Sequence, residues 1–478
     1  MDMEIDNESL PIDRRERVLM PFLSLDFRSA RKRVMDFREV VVPFDEERAK
    51  YEARRCIHCP DPPCVSACPL HNQIPSAMWL VENGNYQGGA LIFRLTSNMP
   101  RVCGRICPQE YLCEGSCVLN KNKEPVHIGA LEAWMNDITD REGVKPGFKP
   151  VPSGKKVAVV GAGPAGLSCT DQLIAKGHSV TVFDARPRPG GLLMYGIPGF
   201  KLTKQILYDK LEQLEMAGVT FINDTLIGES KTVDGLLKEG FDAVFIGIGT
   251  GIDSPMKIPG EDVPGVYKAT EFLIRANVDP KLLPQAWHGK PEVGRRVMVI
   301  GGGDTSTDCV RTARRLGAQD VTCLYRRSEA EMRGNTKDRA LARQEGTQYM
   351  FLVQPVKFIA GENGKLSAVE CTRMELGEPD ARGRRRPVPV NGTNFLIDTD
   401  TAVLALGYLP FPTIAETTPG LETDEEGMII ADPSTGATSR PGVFAGGDAV
   451  NGPDLVVTAV ASGRTAASGI DNFLRTQA

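Results

Sequence analysis

One unit, a short apolar strand followed by a glycine-rich turn, a helix and a second strand, occurs twice in this chain of 478 residues. In the first copy, residues 156–160 read as the strand and GAGPAG as the turn. An apolar-periodic helix over 167–175 follows and is stopped by Gly177, and a second strand over 178–183 ends on Asp184. In the second copy the strand covers 296–300 and the turn is GGGDTS. Its helix covers 307–316 with Gly317 at the end, and the next strand covers 321–325. Strands alternating with helices pair in parallel, so the expected body is α/β with two Rossmann-like dinucleotide-binding domains.

The turns carry the chemistry. Gly161, Gly163 and Gly166 fit G-x-G-x-x-G, with Pro164 and Ala165 inside the motif. Gly161 permits the tight turn, Gly163 lets the backbone approach a pyrophosphate, and Gly166 lets helix and strand pack closely. The helix N-terminus then offers unpaired N–H groups to the phosphates. Asp184 stands where an acid hydrogen-bonds ribose hydroxyls. The second turn has Gly301 and Gly303, then Asp304 and Thr305, and puts Ser306 where only a small residue is needed. Its strand ends in Arg326 and Arg327 instead of an acid. Arginines there pair with a 2′-phosphate that an acid would repel, so this site is expected to prefer NADP(H). A solvated edge is the plainer reading of the two arginines. Near the C-terminus, GVFAGGD ends a short strand on Gly447 and Asp448. Such an acid can hold the hydroxyls of a flavin's ribityl chain, although an ordinary strand-to-helix turn fits the same residues.

Eight of the twelve cysteines lie between Cys56 and Cys117. The first group is Cys56-x2-Cys59-x4-Cys64-x3-Cys68-Pro69, and the second is Cys103-x3-Cys107-Pro108-x4-Cys113-x3-Cys117. Short turns bring such thiolates together on a metal. A run of four closed by Cys-Pro is the spacing of two-cluster iron–sulfur proteins, in which the last cysteine ligates the other cluster. Zinc sites and disulfides compete, but zinc sites usually separate their pairs by a longer insert, and disulfides need an oxidising compartment. The module has only short apolar segments, so metal is expected to supply part of its stability. Cys169, Cys309, Cys323 and Cys371 sit in apolar contexts and read as core, and the five histidines form no catalytic arrangement.

A net charge of −5 gives no footprint for nucleic acid. The N-terminus has no apolar stretch of signal type, no run reaches the ~20 residues of a membrane span, and the expected location is the cytoplasm. The Pro- and Gly-punctuated loop REGVKPGFKPVPSGKK marks the clearest domain boundary. The expected organisation is an N-terminal arm over 1–45 and a helical iron–sulfur domain over 46–150. An FAD-binding domain follows in two parts, 151–285 and 409–478, around an NADP(H)-binding domain over 286–408.

The segments CIHCPDPPCVSACP, VCGRICPQEYLCEGSC, PVHIGALE, VAVVGAGPAGLSC, GGLLMYGIPGFKL, VIGGGDTSTDC, VTCLYRR, TAVLALGY and VFAGGDAV together resemble the small (β) subunit of NADPH-dependent glutamate synthase. That family includes the N-terminal module of dihydropyrimidine dehydrogenase and the large subunit of bifurcating NADH-dependent ferredoxin:NADP oxidoreductases. The resemblance implies a glutathione/adrenodoxin-reductase-like fold, with the NADP domain inserted in a split FAD domain. It implies FAD contacts at Asp448 and in the segment that holds Gly191. It also implies two [4Fe-4S] clusters, one on Cys56, Cys59, Cys64 and Cys117, the other on Cys68, Cys107, Cys113 and Glu132. Cys103 is then a spare thiol or an alternative to Glu132.

The expected function is NADPH oxidation by a flavoprotein subunit, with electrons delivered through the clusters to a partner in a hetero-oligomer. The partner would be a glutamate synthase large subunit or a ferredoxin-linked flavoprotein subunit. The stretch over 17–40 looks somewhat more like the ferredoxin-linked branch. A zinc-stabilised nucleotide-binding scaffold without turnover is the alternative from another class. No side-chain acid or base is required for hydride transfer, and none is assigned.

Overall fold

The computed structural model describes residues 12–143, 150–380 and 383–476. The central part of the expected boundary loop, 144–149, and the first eleven residues of the arm lie outside the described residues. Two five-stranded sheets form the body. The first runs, in spatial order, Val443–Ala445, Ala243–Ile246, Lys156–Val160, Ser179–Phe183 and Thr220–Ile222, all parallel. The second runs Thr347–Phe351, Asp320–Tyr325, Arg296–Ile300, Thr401–Leu404 and Val266–Lys268, also all parallel. One strand near the C-terminus, Val443–Ala445, thus completes a sheet begun near residue 156, and the second domain is inserted within the first. Two antiparallel connectors, Thr250–Asp253 and Tyr408–Pro410, run side by side between them.

Two features depart from the sequence expectations. Val266–Lys268 falls in the stretch assigned to the first part of the FAD domain, yet it pairs with Thr401–Leu404 in the second sheet. A three-residue strand is too short to show a period. Between the second sheet's last strands lies an antiparallel layer that the sequence reading did not contain. It comprises Val353–Ala360, Leu366–Pro379, Arg385–Pro389 and Phe395–Asp398.

The cysteine module is a set of short helices, among them Ile74–Glu82, Tyr86–Thr96, Pro100–Ile106 and Ile128–Arg141. Its core includes Met78, Phe93, Trp134 and Met135. The arm is firmly packed against the module over its described part. Arg17 pairs with Glu82 at 2.7 Å and donates to the carbonyls of Arg54 and Cys56. The arm then reaches the second domain, where Arg33 lies beside Glu345.

Domain docking rests on buried charge. Lys201, from the first domain, sits 3.1 Å from Asp308 and 2.9 Å from Asp338 of the second. Phe200 is fully buried with the Arg311 and Arg315 guanidiniums over its ring, and both arginines pair with Glu345. Buried ions of this kind are tolerated only when paired, so the cluster specifies how the two domains meet. Among the described residues no helix is long and apolar enough to cross a membrane.

Candidate functional site

The first glycine turn has the geometry its motif requires. Gly161 has φ +96°, and a Cβ there would meet the Gly247 carbonyl oxygen at 2.5 Å. A Cβ on Gly166 would stand 1.8 Å from the Gly161 oxygen, so only glycine lets the helix Pro164–Ala175 pack this closely on the turn. Gly163 caps that helix, and a Cβ on it would meet nothing within 4 Å. That leaves open space where a pyrophosphate approaches.

Two distant segments close over this turn. Gly191, at φ +52°, precedes the short helix Leu192–Tyr195, and its Cβ would strike the Gly163 Cα at 2.8 Å. Gly447, at φ +71°, precedes Asp448–Asn451, and its Cβ would lie 2.8 Å from that of Ala165. The last helix, Val456–Thr476, crosses the turn's helix at Gly463, where a Cβ would meet the Ala165 oxygen at 2.2 Å. Gly161, Gly163, Pro164, Ala165, Gly166, Gly191, Gly447 and Asp448 therefore converge from three parts of the chain.

Both acids of this site are buried or nearly so. The Asp184 carboxylate accepts the N–H of Ala162 at 2.7 Å and of Arg186 at 2.8 Å. Burial raises its pKa, and those two donors oppose the rise. Asp184 thus braces the turn, and the remaining lone pairs of its oxygens suit ribose hydroxyls. Burial pushes the Asp448 carboxyl up to about 7. An acid so desolvated fits hydroxyl donors from a polyol chain such as a flavin's.

In the second unit, Gly301 is held against Ala405, and Ser306 donates its hydroxyl to the Gly303 carbonyl at 2.6 Å. Asp304 opens the helix Asp304–Arg315, and its Oδ1 accepts the Asn335 N–H at 2.7 Å, which ties down the segment ahead of Thr336. Thr305 follows on the same first turn and lies in hydrogen-bonding reach of Tyr408. The two arginines after the strand differ. Arg326 is exposed, whereas Arg327 is buried, with its Nε donating to the Arg385 carbonyl at 2.8 Å.

That bond brings in a residue the sequence reading missed. Arg384, on the antiparallel layer, donates to the Tyr325 hydroxyl at 3.1 Å, and its Nε is buried without a partner. Tyr325 in turn packs under the turn, since a Cβ on Gly302 would meet its ring at 2.4 Å. Partial desolvation, then the like charges of Arg327 and Arg384, lower the pKa of Arg326, whose side chain still reaches solvent. Guanidiniums crowded in this way are suited to a dianionic phosphate. Only the run RGRRRP could have signalled Arg384, and nothing in the sequence fixes where that run folds back.

The cysteines enclose two neighbouring cavities. One is lined by Cys56, Cys59, Cys64 and Cys117, and the other by Cys68, Cys107, Cys113, Glu132 and Cys103. Ile74 and Ile128 line both, so one apolar wall separates them. The second cavity is also lined by Val457, from the start of the last helix. Burial raises the thiol pKa values of Cys56, Cys59, Cys68 and Cys113, and pushes that of Cys64 up to about 12. For Cys107 the Cys103 hydrogen bond is the leading cause, ahead of burial. Burial also raises the Glu132 pKa well above the usual carboxylate range, and its Oε1 has no partner. Thiols and an orphaned carboxyl around a closed space are donors that a metal cluster would satisfy and deprotonate.

Residues 33–144 match the family described as dihydropyrimidine dehydrogenase domain II, 4Fe-4S cluster, and residues 136–463 match the pyridine nucleotide-disulphide oxidoreductases. The glutamate synthase [NADPH] small chain of Escherichia coli is 43% identical over 449 residues, covering 92% of this chain and 95% of that one. The chain belongs to the glutamate synthase small-chain family. The NADP(+)-dependent formate dehydrogenase subunit beta of Moorella thermoacetica is 39% identical over 443 residues, covering 86% of this chain and 60% of that one. Mycobacterium tuberculosis FprA in complex with NADPH superimposes with a TM-score of 0.56 at 20% identity, over 69% of this chain and 85% of that one. That likeness speaks to the fold alone. As a member of the family, the chain is an NADPH-dependent flavoprotein oxidoreductase with FAD, NADP and 4Fe-4S chemistry. The 4Fe-4S match sets aside the zinc-scaffold reading.

Proposed function

We propose that this chain is the NADPH-oxidising subunit of a cytoplasmic hetero-oligomer and feeds a partner of glutamate synthase large-subunit type. A bound flavin accepts a hydride and releases electrons singly, which iron–sulfur clusters require. The protein supplies position. Gly161, Gly163, Pro164, Ala165, Gly166 and Gly191 cradle the FAD pyrophosphate, while Asp184 and Asp448 take its hydroxyls. Gly301, Gly303 and Thr305 seat NADP(H), and Arg326 with Arg327 and Arg384 reads its 2′-phosphate.

The observation that carries the reading is the order of the cavities. The one lined by Cys68, Cys107, Cys113 and Glu132 touches the flavin domain at Val457, and the other lies beyond Ile74 and Ile128. Cys56, Cys59 and Cys117 around the outer cavity are only partly buried, which suits an exit toward a partner. Two [4Fe-4S] clusters placed there make a path from flavin to surface. On this reading Cys103, which lines the same cavity beside Cys107, is a spare thiol. On this assignment Glu132→Ala perturbs the EPR signal of one cluster and leaves the other unchanged, whereas Cys103→Ala changes neither.

Purification with its native partner tests the reading. NADPH oxidation coupled to glutamine and 2-oxoglutarate supports it. Coupling to ferredoxin instead favours the bifurcating relative, which the sequence over 17–40 resembles.

A further inference from the structure

The second nucleotide domain grips the loop that carries Cys113. Its helix Thr336–Gln344 begins on two carboxylates of the cluster module. The Thr336 N–H and hydroxyl donate to Glu110 Oε1 at 2.5 and 2.6 Å, and Lys337 Nζ lies 2.6 Å from Glu114 Oε2. Glu114 is adjacent to Cys113 in sequence, and its side chain is only 3% exposed. Its other oxygen accepts the N–H of Gly129, on the helix that also carries Glu132. A buried carboxylate beside a cluster therefore has its counter-charge supplied by a different domain. Burial opposes the Lys337 charge, but Glu114 foremost, with Glu110 and Cys113, outweighs it and holds the lysine pKa above its ordinary value.

The same segment is anchored to the nucleotide turn on its other side. Asn335 donates its N–H to Asp304, and Gly334 lies so close to Gly303 that a Cβ would meet its carbonyl carbon at 2.9 Å. Lys337 thus stands three residues from one site and one salt bridge from the other.

We propose that Lys337 is a positioning residue for electron transfer: it neutralises Glu114 beside Cys113 and thereby sets the reduction potential of the cluster on Cys68, Cys107, Cys113 and Glu132. The inference rests on the ligand assignment above. Net charge near a cluster is a main determinant of its potential; Glu114 is shut from water while the Lys337 side chain is 41% exposed, so the lysine acts through its 2.6 Å contact with the buried carboxylate. A nearby cation favours the reduced, more negative cluster. Without it the Glu114 carboxylate is uncompensated and the potential falls.

The test is EPR-monitored potentiometry on anaerobic holoenzyme. Lys337→Met is expected to lower that cluster's midpoint so that its reduced-to-oxidised ratio at a fixed poise drops roughly tenfold, equivalent to about 59 mV for one electron. Lys337→Arg should keep the wild-type midpoint. Lys337→Met combined with Glu114→Gln should recover most of the shift, because both charges are then gone. A wild-type midpoint in Lys337→Met, an arginine variant shifted as far as the methionine one, or a double variant shifted further would each overturn the proposal. Wild-type protein that shows only one cluster signal would instead overturn the ligand assignment, and this inference with it.

Discussion

Cys68→Ala is expected to split the reaction in two. NADPH should still bleach the flavin at the wild-type rate, while electron delivery to the partner falls to background. Cys68 ends the helix Pro63–Ser66 region and is buried against the flavin domain's core, together with Met99, Val102 and Cys103. Its cavity is the one that meets Val457 of the last helix, which packs on the glycine turn of the flavin domain. The glycine turns and the acids Asp184 and Asp448 lie in the other domain and keep their packing. Stopped-flow flavin reduction and steady-state turnover with the partner measure the two halves separately. Because loss of a metal can unfold a small module, Cys59→Ala at the partly exposed outer cavity provides a second case with the same expected split. Equal loss of both halves in both variants would contradict the assigned order.

The second large effect concerns the choice of nucleotide. On the proposed assignment, Arg326→Ala and Arg384→Ala each remove a charged donor from the 2′-phosphate. A hydrogen bond to a charged group contributes about 1.5–3 kcal/mol. Each variant should therefore lose about 10- to 150-fold in kcat/KM for NADPH and little for NADH. Arg327→Ala should resemble them for the same reason and for a second one. Its Nε holds the Arg385 carbonyl, so its removal frees the hairpin that presents Arg384. An unchanged NADPH/NADH ratio in Arg326→Ala combined with Arg327→Ala would refute the arginine reading.

The sequence exposed the two nucleotide folds because their signals are local. A strand, a glycine turn and a helix lie within one short stretch, and strand alternation dictates parallel pairing. The apolar period starts these helices at 167 and 307, whereas they begin at Pro164 and Asp304. The first turn of a helix is set by capping and not by apolar period. The antiparallel layer was invisible because its strands alternate irregularly and are interrupted by polar, arginine-rich tips. Contacts between distant segments were invisible too. Phe200 and Lys201 look like an ordinary loop until Arg311, Arg315, Asp308 and Asp338 surround them. Lys337 reads as a solvated helix lysine until Glu114 is beside it. The cysteine spacing pointed to clusters, but the division of ligands between them came from resemblance; one cavity is lined by Cys56, Cys59, Cys64 and Cys117, and the other by Cys103 as well as Cys68, Cys107, Cys113 and Glu132.

The central claim is that a flavin couples NADPH to two clusters within this one chain. Anaerobic titration of the purified holoenzyme with NADPH, followed by visible absorbance and EPR, tests it most directly. The account predicts bound FAD, about eight irons per chain, bleaching of the flavin bands and two distinguishable cluster signals on full reduction. Protein that is colourless, or whose flavin bands persist in excess NADPH, would contradict it.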